Sequence, residues 1–249
     1  MSGKVLLVTG GSRGIGAETA RLAAARGWSV AVNYVSDKTA AEAVLTDIEA
    51  AGGEGLAVKG DVGEEADVLS MFAAIDARFG RLDGLVNNAG IVDRKARVDE
   101  MSAARLERMM RVNVIGSFLC AREAVKRMST RHGGHGGVIV NLSSAAAKLG
   151  SPGWYVDYAA SKGAIDTLTK GLALEVADEG IRVCGIRPGI VATDIHASGG
   201  EPDRVEKVRS GLPMKREGRP EEIASAIVWL LSDEASYITG ALLDVSGGR

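Results

Sequence analysis

Short apolar runs recur along the chain, each followed by a longer stretch in which apolar residues return every three or four positions. The runs are VLLV (5–8), VAV (30–32), GLAV (55–58), LDGLV (82–86), VIVNL (138–142), RVCGI (182–186) and ALLDV (241–245). Most are continuous in apolar residues and do not alternate, as parallel strands buried on both faces require. Between them, EADVLSMFAAIDARFG puts Val68, Met71, Phe72, Ile75 and Phe79 at helical spacing. Ile165, Leu168, Leu172 and Leu174 do the same within one long helix expected from Asp157 to about Asp178. The repeated strand–helix alternation predicts an α/β fold: a doubly wound, seven-stranded parallel sheet flanked by helices in three layers, with right-handed crossovers. Length alone allows two domains, but no Pro-rich or Ser-rich linker and no solenoid repeat divides the 249 residues. One domain over residues 1–249 is expected.

Composition narrows the partners. Charges are interspersed, with a formal net charge of −2 and a pI near 6.0, so the chain lacks an electrostatic footprint for nucleic acid or anionic lipid. A small-molecule partner is expected. Cys120 and Cys184 sit far apart in apolar-leaning segments, which fits buried thiols in a reducing compartment. The opening MSGKVLLVTGG breaks its apolar run too soon for a signal segment, and no run approaches the roughly 20 residues of a membrane span. The expectation is a cytoplasmic protein without a membrane anchor.

The first strand runs directly into TGGSRGIG, residues 9–16. Glycines at 10, 14 and 16 suit a tight strand-to-helix turn in which backbone amides and a helix N-terminus approach a pyrophosphate. The spacing is Gly-x-x-x-Gly-x-Gly, and a lone glycine turn could equally serve close packing. Its position after the first strand favours a dinucleotide. Such folds usually place an acid at the end of the second strand for a ribose hydroxyl, but here the strand ends in Asn33 and Tyr34. Arg13, with Asn33 as a second donor, would suit a 2′-phosphate, so NADP(H) is expected. NAD(H) stays open, since Arg13 could face solvent and Asp37 could reach a ribose. Asp61 after the third strand and NNAG (87–90) after the fourth lie at strand C-termini, the ligand side of such sheets. Locally, Asp61 would also serve as a cap for a helix beginning near Glu64, and Asn87–Gly90 as a polar turn.

In WYVDYAASKG (154–163), Tyr158 has Lys162 four residues on, whereas Tyr155 has only Ala159. Positions i and i+4 share a helix face, so phenol and ammonium point the same way. Bringing a phenol from its usual pKa of about 10 to ~7 takes about 4 kcal/mol, which a nearby lysine and an oxidised nicotinamide could supply in a dry site. Tyr-x-x-x-Lys alone is weak evidence. Its place just after the fifth strand and the serine pair Ser143–Ser144 strengthens it.

Together these residues resemble the short-chain dehydrogenase/reductase family over the whole chain: TGGSRGIG (9–16), NNAG (87–90), Asn113 in NVIG, Ser144 in NLSS, YAASK (158–162) and Pro188–Gly189. The β-ketoacyl reductase and glucose dehydrogenase groups are similar. The resemblance implies a Rossmann-like fold, with Tyr158 as general acid, Lys162 lowering its pKa and holding the nicotinamide ribose, Ser144 hydrogen-bonding the substrate oxygen, and Asn113 ordering a water for proton exchange. It implies a cofactor cradle of Gly10, Ser12, Arg13, Gly14, Ile15 and Gly16, with further contacts at Asp61, Val62, Asn88, Ala89, Gly90, Pro188, Gly189 and Thr193. It also implies a homotetramer, with the long helix after Tyr158 and the ALLDVSGG segment at interfaces. The interval from Ser144 to Tyr158 is one residue longer than in many members. Either the loop bulges at Gly150–Gly153 or Ser143 takes the role, and strand alternation favours Ser144.

Other features carry less. RHGGHGG (131–137) holds two of the three histidines but reads as a glycine-rich loop, with no metal site expected. Residues 190–215, with Gly199, Gly200 and Pro202, suggest a lid, in which His196 could face substrate or solvent. Trp28 and Trp229 are expected in the core, and Trp154 against the pocket. The expected activity is NADP(H)-dependent hydride transfer between a nicotinamide cofactor and a carbonyl or secondary alcohol. An NAD(H)-dependent sugar or alcohol dehydrogenase is one alternative, and a non-catalytic dinucleotide-binding regulator another.

Overall fold

The structure, a computed structural model, describes residues 3–249. Seven strands form one sheet: β1 (Val5–Val8), β2 (Ser29–Tyr34), β3 (Gly55–Lys59), β4 (Gly84–Asn87), β5 (Gly137–Leu142), β6 (Ile181–Pro188) and β7 (Leu242–Val245). All pair in parallel in the order β3-β2-β1-β4-β5-β6-β7, each within two residues of the apolar run that predicted it. The order reverses between β1 and β4, which splays their C-terminal ends and leaves a crevice there.

Helices cover both faces because successive strand residues point to opposite sides. On one side Leu6, Val8, Val30 and Val32 pack against α1 (Gly14–Ala25), α2 (Lys38–Ala50) and α10 (Pro220–Leu231). On the other, Val5, Leu7, Leu85 and Ile139 meet α3 (Glu65–Phe79), α5 (Gly116–Met128) and α7 (Val156–Glu175) through residues such as Phe72, Cys120 and Ala173. Between β4 and α5 lie α4 (Ala103–Met110) and a wide π turn over Arg111–Ile115. Short helices α6 (Ala146–Leu149), α8 (Ile195–Ser198) and α9 (Arg204–Arg209) sit in the loops after β5 and β6. Trp28 is buried as expected, but Trp229 is 38% exposed, on the outer face of α10. Among the described residues no helix is long and apolar enough to cross a membrane.

Candidate active site

A cavity of about 600 Å³ opens at the C-terminal ends of β1, β4, β5 and β6. Its walls include every predicted catalytic and cofactor residue except Gly16 and Asn113. The glycine turn forms the floor at one end. Gly10 and Gly14 have φ of +60° and +54°, a region that side chains disfavour. A Cβ on Gly16 would lie 2.5 Å from the Gly10 carbonyl oxygen, so this glycine serves packing of α1 onto the turn. No side chain caps α1, which leaves its first amides toward the cavity, and Thr193 stands over Gly14.

Several polar side chains expected to face a ligand instead hold this turn together. Asn33 is 1% exposed. Its Oδ1 accepts from the Gly10 amide at 3.0 Å, and its Nδ2 donates to the carbonyls of Val58 and Gly60. Its amide is therefore committed, and the expectation that Asn33 donates to a 2′-phosphate is corrected. Asn88 donates to the carbonyls of Thr9 and Gly10, while the Thr9 hydroxyl accepts from the amides of Asn88 and Ala89. Asp61 Oδ1 accepts from the Gly63 amide, and the helix after it begins one residue past Glu64 with no side-chain cap, so Asp61 is not its cap. Asp37 caps α2 by accepting from the Ala40 amide at 2.9 Å. Arg13 is exposed at the cavity wall, and its guanidinium has no partner among the described residues.

At the other end stand the serines and the long helix. Tyr158 and Lys162 share a face of α7, with Lys162 Nζ 5.7 Å from the centroid of the Tyr158 ring. The ammonium donates to the Leu142 carbonyl at 2.6 Å, at the end of β5. Lys162 is 5% exposed, and burial pulls its pKa down to about 8 against the opposing charge of Asp166. The Tyr158 phenol moves the other way from the expectation. Its pKa is raised, by burial first, while hydrogen bonding with Ser144 and the charge of Arg204 oppose the rise. The Lys162 ammonium is anchored by a carbonyl, and burial of the phenol favours its protonated form.

The two serines separate as strand alternation predicts. Ser144 lies beside the phenol and lines the cavity, whereas Ser143 is 3% exposed and donates to the Lys162 carbonyl at 3.1 Å. The long interval between Ser144 and Tyr158 is taken up at Gly150, Ser151 and Gly153, whose φ values of +70°, +47° and +73° fold the loop out of line. Asn113, in the π turn, is 1% exposed. Its Oδ1 accepts from the Ile91 amide at 2.8 Å, and its Nδ2 donates to the Ile91 carbonyl and the Ser161 hydroxyl. The side chain is thus a clamp between the segment after β4 and the back of α7, and any ordered water would have to find a partner other than this amide.

Sequence reasoning missed residues that only the fold brings in. Asn87 donates to Asn141 and Asn141 to Thr169, a buried polar ladder from β4 through β5 to α7. Asp157, with a fully buried side chain, holds Arg105 by two bonds of 2.7 and 3.2 Å, fixing the start of α7 to α4. Arg204 stacks on Trp154 and Tyr155. Trp154 does not line the cavity; it is 39% exposed, between Lys95 and Arg204, and Tyr155 is the aromatic that reaches the pocket. The side chain of His196 lies outside the described residues. His132 and His135 sit beside Arg81, Lys126 and Arg127, and among the described residues no group of three His, Cys, Asp or Glu could hold a metal.

A family model described as enoyl-(acyl carrier protein) reductase matches residues 10–249. The chain belongs to the short-chain dehydrogenase/reductase family. The chain is 56% identical over 245 residues to the uncharacterized oxidoreductase YgfF of Escherichia coli (strain K12), covering 98% of the chain and 99% of that protein. Its fold is similar to the crystal structure of 3-ketoacyl-(acyl-carrier-protein) reductase from Brucella melitensis complexed with NADH, with TM-score 0.91, 35% identity, and coverage of 100% and 98%. A short chain dehydrogenase from Burkholderia cenocepacia J2315 in complex with NADP gives TM-score 0.90 at 32% identity, with coverage of 99% and 98%. The chain is an oxidoreductase of this family. The turn at 10–16, its open helix end and the unpaired Arg13 are features that fit a phosphate-bearing dinucleotide.

Proposed function

We propose that the protein is an NADP(H)-dependent reductase of a carbonyl substrate, with Tyr158 as the general acid, Ser144 polarising the substrate oxygen, and Lys162 sustaining the charge of the site. The observation that carries this is the convergence of Ser144, Tyr158 and Lys162 on one cavity that also contains the glycine turn. A bound nicotinamide dinucleotide supplies the hydride for the substrate carbon. The protein's share is orientation and a proton. Tyr158, protonated in its buried setting, gives its proton to the developing alkoxide, and the Ser144 hydroxyl donates to the same oxygen. Lys162, still an ammonium below about pH 8, favours the phenolate that remains. The clamp of Asn113 on Ile91 and Ser161 keeps the segment after β4 against α7, so the cavity's walls hold their spacing.

The preference for NADP(H) rests on Arg13, a guanidinium at the glycine turn with no partner among the described residues, and on the absence of an acid at the end of β2. Asp37 is spent on its helix cap. Relatives crystallised with NADH and with NADP keep both dinucleotides within the family's reach. Following NADPH absorbance against a panel of ketones, ketoesters, sugars and quinones tests the proposal. Oxidation of NADPH by at least one class, with a KM at least tenfold below that for NADH, is expected. Dinucleotide binding without turnover across the panel would favour a regulator instead, and a tenfold preference for NADH would defeat the cofactor assignment.

The same reading includes a single Rossmann-like domain, a lid at 190–215 carrying α8 and α9, and a homotetramer. Two exposed apolar groups support the assembly: Leu69, Ile115 and Phe118 on α3 to α5, and Leu174, Tyr237 and Leu243 around α7 and β7. Size-exclusion chromatography with light scattering should return four chains per particle; a monomer at working concentration would refute the assembly.

A further inference from the structure

Arg204, the first residue of α9, enters the cavity from the loop that follows β6. Its guanidinium carbon lies 4.9 Å from the Trp154 ring centroid and 4.7 Å from that of Tyr155. The two rings meet at 74°, so the cation sits in the corner between them. The rings offer the guanidinium their π-faces but no ordinary acceptor atom, so its N–H groups are left to be satisfied by something else. Here they are not. Nε and Nη1 are closed off from solvent and meet no acceptor among the described residues. Protein structures seldom leave buried polar atoms without partners, and an unpaired charge is the costliest case.

Glu201 and Asp93 are engaged elsewhere. Glu201 pairs with Lys95 at 2.8 Å and Lys207 at 3.6 Å, and Asp93 accepts from the Arg94 amide and lies 3.9 Å from Arg108. Positive charge is instead concentrated: Arg249, also on the cavity wall, has its pKa lowered by burial and then by the repulsion of Arg204. Arg204 lines the same cavity as Tyr158, and its charge acts to lower the pKa of that phenol. Arg13, by contrast, stands at the glycine turn and is not among the charges acting on that phenol. The two rings belong to the loop leading into α7, the helix that carries Tyr158.

We propose that Arg204 is the substrate-specificity residue of this site and that the carbonyl substrate bears an oxyanion, a carboxylate or a phosphate, which pairs with its guanidinium. Planar N–H donors match such groups, and a desolvated cation already held in place loses little freedom on pairing. The proposal rests on the reductase reading of the same cavity. It also explains why aromatic residues at 154 and 155 precede the catalytic turn: they hold the cation that the substrate needs.

The test compares wild type with Arg204→Met on matched pairs: acetoacetate, 4-oxopentanoate and 2-oxobutanoate, each against its methyl ester, with NADPH. Wild type should favour the acids by at least tenfold in kcat/KM, with the difference in KM. In Arg204→Met the acid-to-ester ratio should fall within threefold of one. A purely structural role for Arg204 would lower acids and esters alike. Calorimetric titration with malonate and with inorganic phosphate gives an answer independent of turnover. At least tenfold tighter binding of either anion to wild type than to Arg204→Met supports the proposal, and the anion that shows it names the group recognised. Equal acid-to-ester ratios in both proteins, or anion binding indifferent to the substitution, would overturn it while leaving the reductase reading standing. Arg204-dependent anion binding with no carbonyl turned over would instead sustain the anion site and remove the reductase.

Discussion

Lys162 and Tyr158 lie on one face of α7, with the ammonium 5.7 Å from the phenol ring, yet the ammonium is bonded to the Leu142 carbonyl. The pair is therefore held by the end of β5 as well as by helix spacing. Both groups are buried, and burial pushes their pKa values in opposite directions: the phenol up, the amine down to about 8.

That shift fixes the sign of a pH effect. Lys162 has a folded pKa of about 8 against an ordinary 10.5, so its burial costs stability at every pH below 8. The cost fades as pH rises from 8 toward 10.5, because both states then lose the proton. At ~1.36 kcal/mol per unit the full cost is about 3 kcal/mol. Wild type should therefore gain on Lys162→Met by up to that amount between pH 8 and 10, read from denaturant midpoints at each pH. Over the same range kcat/KM for reduction should fall about tenfold per pH unit as the ammonium discharges. A stability difference that stays flat across this window would contradict the buried, charged lysine.

The serines should separate by kind of damage. Ser144→Ala removes a donor to the substrate oxygen and should lower kcat by about 10²-fold, the scale of a lost oxyanion donor. Ser143→Ala removes a bond to the Lys162 carbonyl and should cost about 1 kcal/mol of stability with a smaller kcat loss. A larger kcat loss at Ser143 would reverse the assignment.

Arg105 and Asp157 make the third case. Arg105→Met leaves the fully buried Asp157 carboxylate without its partner, which should cost about 3–5 kcal/mol and loosen the turn that carries Tyr158. Arg105→Met with Asp157→Asn together should recover part of that loss. Thermal melts of the single and double variants measure it, and a single variant as stable as wild type would show the pair to be idle.

Much of this was legible in the chain because strands buried on both faces leave continuous apolar runs, and because the glycine turn and Tyr158–Lys162 are local patterns. Ser144 was legible too, since neighbours on a strand face opposite ways. What escaped depends on long-range contacts. Asn33 reads as a free donor until β3 and the glycine turn close around its amide. The depressed phenol was expected from Lys162 four residues on together with an oxidised nicotinamide, whereas burial, which no local pattern shows, pushes the phenol up. Arg204 carries no local signal at all, since nothing in EPDRVEKVRS marks one cation from another until the rings of Trp154 and Tyr155 are placed beside it.

Tyr158→Phe tests the central claim most directly, since it removes one oxygen and keeps the ring. On a carbonyl that wild type reduces, the variant should lose 10²–10⁴-fold in kcat, the scale of a lost general acid. Its melting temperature and its affinity for NADPH should stay close to those of wild type. Turnover within fivefold of wild type, with NADPH bound equally well, would show that the proton comes from elsewhere.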